Sequence, residues 1–531
     1  MKKRTAARSM AALMGAAMVL TACGGGNTTA PTTGASSGGE TQTASESAES
    51  GKITKTDIVV GQASDIVTLD PAGQQDTTSG VLMKHAYSTL LDVDNEGKVV
   101  PDLAESYEMK SDTEYVFKLR EDACFWDGTP VTAQDVKFSL DRAKGMPKTK
   151  SNTSKIEEVT VNGDHEVTIK LTEPYAAFKT IVTQHNLSIL SEKAVTEAGD
   201  SYGDVDNLLG SGPFKVTEWV PNDHYTLVRN DNYWGEMPIA TSITCRVIPE
   251  GSARTIALEA GEIDVVWSVD PTDCANVESN PDVKLLSQPS TGIDYVGMNT
   301  QKEKFSDKRV RQAINYALDK QALVDTIIEG RGLVANSYIN AAIPGWTDEV
   351  EAYPYDPEKA KELLAEAGYP DGFECSIFVN GDLRTRSAQI LQAQLADVGI
   401  KVDISTYEWG ALLDTLNAGE HEMFLLGWSN TSFDPDGSTY QLFYSGNHGA
   451  TGNRAFFSND KVDELILSAQ RESEESKRME LYKELQFVLH EESPWCPLYY
   501  KENNVGVRAD LKGFTLHAGA QHYLGNCHYE E

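Results

Sequence analysis

The chain has 531 residues, with 80 Asp or Glu against 46 Lys or Arg, which gives a formal net charge of −34. The length allows several structural units of roughly 150 residues each, and the content of 40% hydrophobic and 24% charged residues excludes global disorder. A surface this acidic repels phosphate backbones, which excludes nucleic-acid binding as a main function, and it repels anionic lipid unless a covalent anchor holds it there.

The first residues of the chain predict an export signal. Residues 1–8 carry four basic side chains and no acidic one, and residues 10–20 are apolar but too few to span a bilayer. Small residues precede Cys23, which resembles the lipobox of bacterial lipoproteins; the alternative is an ordinary cleavage site with an incidental cysteine. The resemblance implies a signal peptide at 1–22 and a diacylglyceryl group on Cys23, so the Gly-, Ser- and Thr-rich stretch 23–52 predicts a flexible linker.

Strands and helices alternate in the rest of the sequence. In chain order the predicted elements are strands at 57–60 and 113–120, a helix after Thr132, a strand at 166–171, a helix at 191–198, a strand at 263–267, helices at 308–329 and 356–368, a helix from near Ser387 and a strand at 422–426. The strand at 113–120 places Tyr115, Phe117 and Leu119 on one face, which is typical of a half-buried strand.

Three helix starts have specific capping signals. Thr132 is followed by Asp135 three residues on, as in a capping box, and Asp356 precedes a proline at the first helical position. Asp319 is a second start signal inside 308–329. The alternation of elements predicts an α/β fold with antiparallel additions.

Six cysteines follow Cys23 at wide spacing: Cys124, Cys245, Cys274, Cys375, Cys496 and Cys527. No C-x-x-C occurs among them, so neither a zinc ribbon nor a thioredoxin-like motif is predicted. An even number in an exported chain permits disulfides, and buried free thiols are the alternative.

Two patterns in the sequence contain residue types that can carry chemistry, and neither predicts a catalytic or metal site. Ser201 lies in a G-x-S-x-G match at 199–203, but a nucleophile elbow needs a strand before the serine, and 191–198 predicts a helix. The C-terminal candidate ligands do not have the spacing of a helical pair or a zinc finger, and we expect them to be solvated: His517, His522, Cys527 and His528. The sequence therefore predicts a binding protein without enzyme activity and without a cofactor.

A family resemblance covers most of the chain. Its motifs are 101–107 (PDLAESY), 125–140 (FWDGTPVTAQDVKFSL), 210–214 (GSGPF), 229–234 (RNDNYW), 258–264 (LEAGEID), 305–319 (FSDKRVRQAINYALD), 355–364 (YDPEKAKELL) and 398–402 (VGIKV). In this order they resemble the family 5 solute-binding proteins of ABC importers, which bind oligopeptides, dipeptides or nickel.

The resemblance implies a two-lobed, periplasmic-binding-protein-like clamshell of class II, cluster C type. Lobe I is expected at 53–300 with 505–531, including an extra subdomain at about 94–211, and lobe II at 301–504. The implied function is a monomeric, lipid-anchored protein on the extracytoplasmic face of the bacterial membrane. It captures a short peptide or peptide-like solute between its lobes and delivers it to the permease subunits of an ABC transporter.

The resemblance also implies a ligand-binding segment from Gly427 to Asp436, which lines the cleft in dipeptide-binding members. Gly427 would let the main chain approach the ligand, and Trp428 would supply a flat apolar wall or belong to the core. Where many peptide binders have an Asp for the ligand's amino group, this chain has Thr431. Asp434 and Asp436 flank a proline and are candidates for the ligand or for a structural turn.

The other candidate ligand-binding residues come from three further segments. Arg384 and Arg386 could bind a ligand carboxylate or lie solvated on the surface. The segment that begins at Gln75 and ends at Thr78 resembles the part of lobe I that faces the ligand. Its polar side chains could form hydrogen bonds with a peptide main chain, and the candidates are Asp76, Thr77 and Thr78. Trp409 lies in a motif shared with the family and is expected to pack.

Three alternative functions stay open. The same transport role could serve a non-peptide solute (a nickel chelate, haem, glutathione or a sugar), which Thr431 and the C-terminal histidines favour. A hydrolase that shares the lobes would depend on Ser201. A sensor that reports a bound solute to a membrane receptor has the same sequence features as a transport protein.

Overall fold

The computed structural model describes residues 52–531, so the predicted signal and Cys23 lie outside the described residues. Strands in the described part are β1 Ile53–Lys55, β2 Asp57–Gln62, β3 Leu91–Val93, β4 Val99–Pro101, β5 Ala104–Ser111, β6 Glu114–Leu119, β7 Ile156–Gly163, β8 Glu166–Leu171, β9 Phe214–Val220, β10 His224–Arg229, β11 Ser242–Val247, β12 Val265–Val266, β13 Val283–Met298, β14 Gly332–Val334, β15 Phe373–Val379, β16 Ile400–Thr406, β17 Met423–Ser429, β18 Trp495–Arg508 and β19 Tyr529–Glu530.

Helices in the same residues are α1 Thr77–Ala86, α2 Ala133–Lys144, α3 Lys150–Thr153, α4 Phe178–Ile181, α5 Glu192–Ala198, α6 Gly251–Glu259, α7 Pro271–Ser279, α8 Glu303–Ser306, α9 Lys308–Ala317, α10 Lys320–Thr326, α11 Pro357–Glu366, α12 Gly381–Ala396, α13 Trp409–Asn417, α14 Asp436–Phe443, α15 Asp460–Arg471 and α16 Glu475–Glu492. Strands and helices alternate along the chain, as the sequence predicts.

One sheet of 11 strands joins distant parts of the chain in the order β16-β15-β17-β13-β18-β12-β2-β11-β10-β9, with β14 paired to β18. Its longest strands, β13 and β18 with 16 and 14 residues, pair antiparallel from Val283 opposite Arg508 to Gly297 opposite Trp495. β17 pairs with residues 292–298 of β13, whereas β12 pairs with the opposite end of the ribbon, on β18. The two ends of the sheet are therefore connected through one two-stranded ribbon.

Apolar side chains cover both faces of the β15–β17 end. On one face, α9, α11 and α12 pack through Ile314, Leu364 and Leu391. On the other face, α13, α14, α15 and α16 pack around Phe424 of β17. A separate core lies around β2, β9, β10 and β11 at the other end of the sheet.

A smaller antiparallel sheet has the order β5-β6-β8-β7 and packs against α2. The predicted alternation on β6 is confirmed, because Tyr115, Phe117 and Leu119 are all buried in this core. The edge strand β5 is exposed at every residue after Ala104.

The three specific helix starts are confirmed. Thr132 and Asp135 form a reciprocal capping box at α2, and Asp356 accepts from the backbone N–H of Lys359 at α11. Asp319 begins α10 as a helix separate from α9. The start expected near Ser387 is wrong: α12 begins at Gly381.

The six described cysteines are free thiols, and five of them are buried, so the disulfide alternative does not apply to residues 52–531. The C-terminal histidines are not solvated, since His517, His522 and His528 are 2%, 3% and 9% exposed. His522 stacks on Trp267 with ring centroids 5.1 Å apart. Within the described range, no group of three or more His, Cys, Asp or Glu could hold a metal ion.

Candidate functional site

A cavity of about 380 Å³ lies between segments that are far apart in the sequence. Its wall comes from the start of α1, the loop after β12, the first turns of α12 and α13, the end of β17 and the middle of β18. This volume falls within the range of roughly 300–1,000 Å³ that small-molecule sites occupy.

The cavity brings together most of the residues that the sequence predicts for ligand binding. Those at its wall are Asp76, Thr77, Thr78, Arg384, Trp409, Gly427, Trp428 and Thr431. The residues not at the wall are Arg386, Asp434 and Asp436, and each of these has a charged or polar partner within the protein.

Asp434 and Asp436 take part in a buried polar network behind the cavity. The Asp434 carboxylate accepts two hydrogen bonds from the Arg478 guanidinium, at 2.9 and 2.5 Å. Asp436 accepts from the Tyr175 hydroxyl at 2.6 Å and from the Gln470 amide at 2.9 Å. Burial and the neighbouring Asp434 raise the pKa of Asp436 to about 6. These contacts favour the structural role for both residues.

Arg386 bonds both oxygens of Asp270, at 2.9 and 2.6 Å. Asp270 is also the N-cap of α7, and hydrogen bonds from Arg386 and Thr272 hold the pKa of its carboxyl below the ordinary value against the effect of burial. The guanidinium therefore ties α12 to the start of α7 at the side of the cavity.

Trp428 and Thr431 lie at the cavity wall, and the polar groups of both side chains are hydrogen-bonded within the protein. The Trp428 indole donates to the carbonyl of Gly437 at 3.0 Å, and its ring packs partly into two apolar cores. The Thr431 hydroxyl donates to Gln184 Oε1 at 2.9 Å. Trp428 thus combines both roles that the sequence left open, apolar wall and core packing.

Gly427 has a second reason to be a glycine. A Cβ built there would lie 2.4 Å from Oδ1 of Asp294 and 3.3 Å from Nη2 of Arg384. Asp294 is 1% exposed and forms an ion pair of 2.9 Å with Lys501, which also lines the cavity. The missing side chain therefore leaves room for the buried carboxylate of Asp294 beside Arg384.

Several buried polar atoms at the wall have no hydrogen-bond partner among the described protein atoms. The acceptors are Gln75 Oε1, Asp76 Oδ2 and Gln521 Oε1, and the donors are Trp267 Nε1, Arg384 Nε and Trp409 Nε1. A buried polar group without a partner costs about 1–3 kcal/mol. Donors and acceptors of this kind, converging on one cavity, are suited to a polar solute.

Asp76 is the N-cap of α1, where its Oδ1 accepts from the backbone N–H of Ser79 at 2.9 Å. Burial raises the pKa of the Asp76 carboxyl, while hydrogen bonds from Ser79 and the charge of Lys148 oppose that rise. The Trp409 indole lies near enough to lower this pKa as well, but outside hydrogen-bond geometry. The free oxygen thus lies in a polar corner of the cavity.

Two arginines at the cavity have no carboxylate within 4.0 Å in the described part of the chain. Arg384 bonds the Asn380 side chain at 2.9 Å, and Arg454 bonds the Asn417 side chain at 3.0 Å. Arg454 is only 5% exposed, and burial lowers its pKa, with Tyr295 and Asp76 opposing that effect. In a chain with a net charge of −34, unpaired guanidiniums in a cavity indicate an anionic ligand group.

Sequence reasoning missed several wall residues: Trp267, Arg454, Lys501 and Gln521. Gln75, the first residue of the segment that resembles the ligand-facing part of lobe I, also lies at the wall. Arg454 follows a short turn with no motif around it, so no local signal was available.

Ser201 does not resemble a catalytic serine. Its hydroxyl donates to the carbonyl of Ala198 at 2.8 Å and accepts from Asn207 at 2.9 Å. α5 directly precedes it, as predicted, in place of the strand that a nucleophile elbow requires.

A polar cavity between the two ends of one mixed sheet defines a solute-binding protein. The comparison with protein families agrees: residues 98–450 match the model of the bacterial extracellular solute-binding proteins, family 5. The chain belongs to this family, so it is a solute-binding protein of an ABC importer. The predicted fold class, a two-lobed periplasmic-binding-protein-like clamshell, is confirmed.

The similar proteins bind different solutes. The glutathione-binding protein GsiB of Escherichia coli K12 is 32% identical over 479 residues, which are 87% of this chain and 92% of GsiB. The periplasmic binding protein DppA from Helicobacter pylori, in complex with the peptide STSA, has a TM-score of 0.86 at 28% identity, over 90% of this chain and 99% of that one. AgaA from A. tumefaciens R10, in complex with agropinic acid, has a TM-score of 0.84 at 26% identity, over 90% and 99% of the two chains.

The family is extracellular, which agrees with the predicted location outside the cytoplasm. Across residues 52–531, no helix is both long and apolar enough to cross a membrane.

Proposed function

We propose that this protein captures a short peptide or peptide-like solute in the cavity and delivers it to the permease of an ABC transporter. The observation that carries the proposal is the set of unpartnered polar atoms at the wall, which includes donors, acceptors and charges of both signs. A peptide main chain carries the complementary groups. Binding without catalysis is sufficient for this role.

The proposed lobes keep the boundaries expected from the sequence: 53–300 with 505–531 for lobe I, the subdomain at about 94–211, and 301–504 for lobe II. Hydrogen bonds cross between these ranges and would hold the two lobes together. Ser154 bonds Tyr440 at 3.0 Å, and Gln75 bonds Gln441 at 3.1 Å. Such contacts would favour a closed form that a solute stabilises and a permease recognises.

The proposed location is the outer face of the membrane, with a lipid on Cys23 as the anchor. The support is the basic and apolar pattern of residues 1–20 and the small residues before Cys23. Cys23→Ser would abolish incorporation of labelled palmitate and release the protein from the membrane fraction. Retention of label in this variant would refute the anchor.

Thermal unfolding in the presence of candidate solutes tests the binding function. Peptides from a panel of di- to hexapeptides should raise the melting temperature. A ligand at 100 times its dissociation constant adds about 2.7 kcal/mol to the free energy of unfolding. Mass spectrometry of solute that co-purifies under native conditions provides an independent readout. If no peptide shifts the transition and the co-purifying solute is a chelate, haem or sugar, the peptide proposal fails and a non-peptide solute replaces it.

Glutathione deserves a place in the panel as a peptide-like solute. It is the solute in the name of the relative GsiB, and it carries two carboxylates that could use the two unpaired arginines of the cavity. The protein is proposed to be a monomer, and light scattering of the purified chain would test this.

A further inference from the structure

Resting on the proposed capture of a solute between two lobes, we propose that Phe433 is a positioning residue for closure. Its ring seats in a socket of lobe I that is made by Gly97 and His517, and this contact holds the loop of residues 430–436 over the cavity. Phe433 is not a wall residue itself, so it acts on the solute through Thr431, which lies at the wall and belongs to the same loop.

The backbone of Phe433 has a conformation that bulky residues rarely adopt. Its φ of 55° lies in the left-handed region, which is unfavourable for a residue with a large side chain. Strained residues of this kind persist only where their surroundings hold them, and they concentrate at ligand clamps and switch regions. A contact made by the ring is therefore expected to compensate for the strain.

Polar contacts on both sides of Phe433 fix the loop. The Asn430 side chain donates to the carbonyl of Asp434 at 2.7 Å and accepts from the backbone N–H of Ser432 at 3.1 Å. The Asp434 carboxylate is bound by Arg478 of α16, which anchors the residue that follows Phe433. All of these contacts lie within the proposed lobe II. They do not depend on closure, so the loop is pre-organised for binding.

Gly97 forms the first wall of the socket, in the turn between β3 and β4. A Cβ built on Gly97 would lie 2.7 Å from both Cγ and Cδ1 of Phe433, which is well below van der Waals contact. The ring therefore lies directly against the Cα of Gly97, and any larger residue at this position would displace it. Gly97 also has a φ of 83°, which glycine adopts without strain.

His517 forms the second wall of the socket. Its ring meets the Phe433 ring edge to face, with centroids 5.6 Å apart and an interplanar angle of 77°. His517 is 2% exposed, and its Nδ1 accepts from the backbone N–H of Gly519 at 3.1 Å, which fixes the ring within the C-terminal segment. This contact gives a role to a histidine that the sequence predicted to be solvated.

Two further contacts join the loop to residues of the proposed lobe I. The Thr431 hydroxyl donates to Gln184 Oε1 at 2.9 Å, and a Cβ built on Gly519 would lie 3.4 Å from the Cα of Thr431. Thr431 and Gln184 both line the cavity. A seated Phe433 therefore sets the position of this part of the wall, whereas an unseated one leaves it open.

The contact can separate without opening a hydrophobic core. The buried residues of the core around Phe424 all lie between 295 and 495, and those of the core under the smaller sheet lie between 90 and 189. Phe433 is half-buried and packs partly against the first of these cores. Opening at this point therefore exposes one ring rather than a core, which is compatible with reversible closure.

Disulfide trapping measures closure at this point without any solute. Thr431→Cys together with Gly519→Cys places two thiols across the boundary, where the backbones are close enough for a bridge, since the Cβ atoms of a disulfide are about 3.5–4.5 Å apart. Cys124→Ser serves as the background, because the other five described cysteines are buried. Diamide oxidises the full chain, and mass spectrometry of the linked peptides gives the rate of bridge formation. The two positions meet only in the closed form, so the rate reports how often the lobes close.

Gly97→Ala is the test variant, and Gly128→Ala is its matched control. The two glycines have φ values of 83° and 85°, so alanine strains both backbones equally, but no described atom lies within 4 Å of a Cβ built on Gly128. Gly97→Ala should slow bridge formation tenfold or more relative to Gly128→Ala, while the melting temperatures of the two variants agree. Equal rates would remove the role in closure. A clearly lower melting temperature for Gly97→Ala would make the contact part of the fold itself, and either result overturns the proposal.

Phe433→Gly assigns the effect to the ring. This change removes the seated group and should itself slow bridge formation tenfold or more. In the Phe433→Gly background, Gly97→Ala and Gly128→Ala should give equal rates, because no ring is left for the new Cβ to displace. A difference between them that persists without the ring contradicts the assignment to Phe433.

The trapping assay also separates this inference from the proposed function, because it uses no solute. If Gly97→Ala slows bridge formation and no peptide raises the melting temperature, the closure contact stands and the peptide-binding function fails. If peptides raise the melting temperature but Gly97→Ala and Gly128→Ala form the bridge at equal rates, the peptide-binding function stands and the role of Phe433 is refuted.

Discussion

Arg478 and Arg454 are buried and Arg384 is half-buried, and these three arginines differ in whether a carboxylate lies beside them. Arg478 has a bidentate partner in Asp434 and belongs to a network that includes Asp436. At the cavity, Arg384 and Arg454 bond only asparagine side chains in the described chain. The guanidinium of Arg478 is thus neutralised within the protein, whereas those of Arg384 and Arg454 have no described carboxylate within 4.0 Å.

The difference separates structural from binding residues that the sequence could not separate. Asp434, Asp436, Arg384 and Arg386 are all charged residues near family motifs. A buried charge requires a partner, because its desolvation is otherwise uncompensated. Where the partner is within the protein, we expect the residue to stabilise the fold, and where it is not, we expect a solute to supply the partner.

The largest effect is expected from breaking the complete network. Asp434→Ala leaves Arg478, which is 7% exposed, without its carboxylate, and we expect a loss of about 3–5 kcal/mol in the free energy of unfolding. Urea unfolding measures it. Glu374→Ala is the control, since the ion pair of Glu374 with Lys401 is exposed and its loss should not be measurable. A change below about 1 kcal/mol for Asp434→Ala would contradict the structural role.

The pH dependence of the same network comes next. Burial raises the pKa of Asp436 to about 6, above an unfolded value of about 3.9, so the folded state favours the protonated carboxyl. Its contribution is therefore present at low pH and is lost as pH rises from about 4 through 6, on the order of 2–3 kcal/mol. Asp436→Asn should lack this loss.

The measurement is the difference in unfolding free energy between the wild type and Asp436→Asn at several pH values from 4 to 7. The difference cancels the contribution of buried histidines such as His522, whose pKa burial lowers to about 3 and which destabilise the fold as pH falls below about 6.5. The wild type should lose stability relative to the variant as pH rises. A difference that is flat or of opposite slope would show that folding does not raise the pKa of Asp436.

At the cavity, Arg384→Gln should lower the affinity for the solute by about tenfold or more. This expectation follows because a hydrogen bond to a charged group contributes about 1.5–3 kcal/mol to binding, and about 1.4 kcal/mol corresponds to a tenfold change in affinity. The unliganded protein should not lose stability, because no described carboxylate depends on this guanidinium. Calorimetric titration and thermal unfolding of the same preparation measure the two quantities. Unchanged affinity would place Arg384 outside the binding site.

The smallest effect is expected for Arg386→Gln, two positions along the same helix. Its ion pair with Asp270 links α12 to α7, but the Arg386 side chain is 37% exposed, so the pair contributes about 1 kcal/mol or less. If this ion pair only stabilises the contact between α12 and α7, the affinity for the solute should fall by about fivefold or less, and the preference among solutes should not change. A loss as large as that of Arg384→Gln would place Arg386 in the binding site as well.

Local sequence signals were sufficient for much of the fold. Thr132, Asp319 and Asp356 each act on backbone N–H groups within three residues, so their effect can be predicted without tertiary structure. The start of α12 could not be predicted in this way, because the side chain of Asn380 makes no capping hydrogen bond and Gly381 has a positive φ of 74°. The sequence instead predicted a start near Ser387, six residues too late.

Site residues that lie in a family motif could be predicted from the sequence. Site residues that are defined only by tertiary contacts could not. The segments around Asp76 and Gly427 were recognised from neighbouring sequence. The unpaired state of Arg454 depends on which carboxylates fold near it, and the burial of His522 depends on Trp267, more than two hundred residues earlier. Neither property is encoded within a local window.

The β13–β18 ribbon has a consequence for how this protein reaches its folded state. It brings together residues such as Asp294 and Lys501, which are 207 positions apart. Contacts of this separation form slowly, because a long stretch of chain must be ordered before they stabilise anything. Because β18 ends at Arg508, the ribbon cannot form until nearly the whole chain has been synthesised. The central connection of the molecule thus stays open during synthesis until β18 has been made.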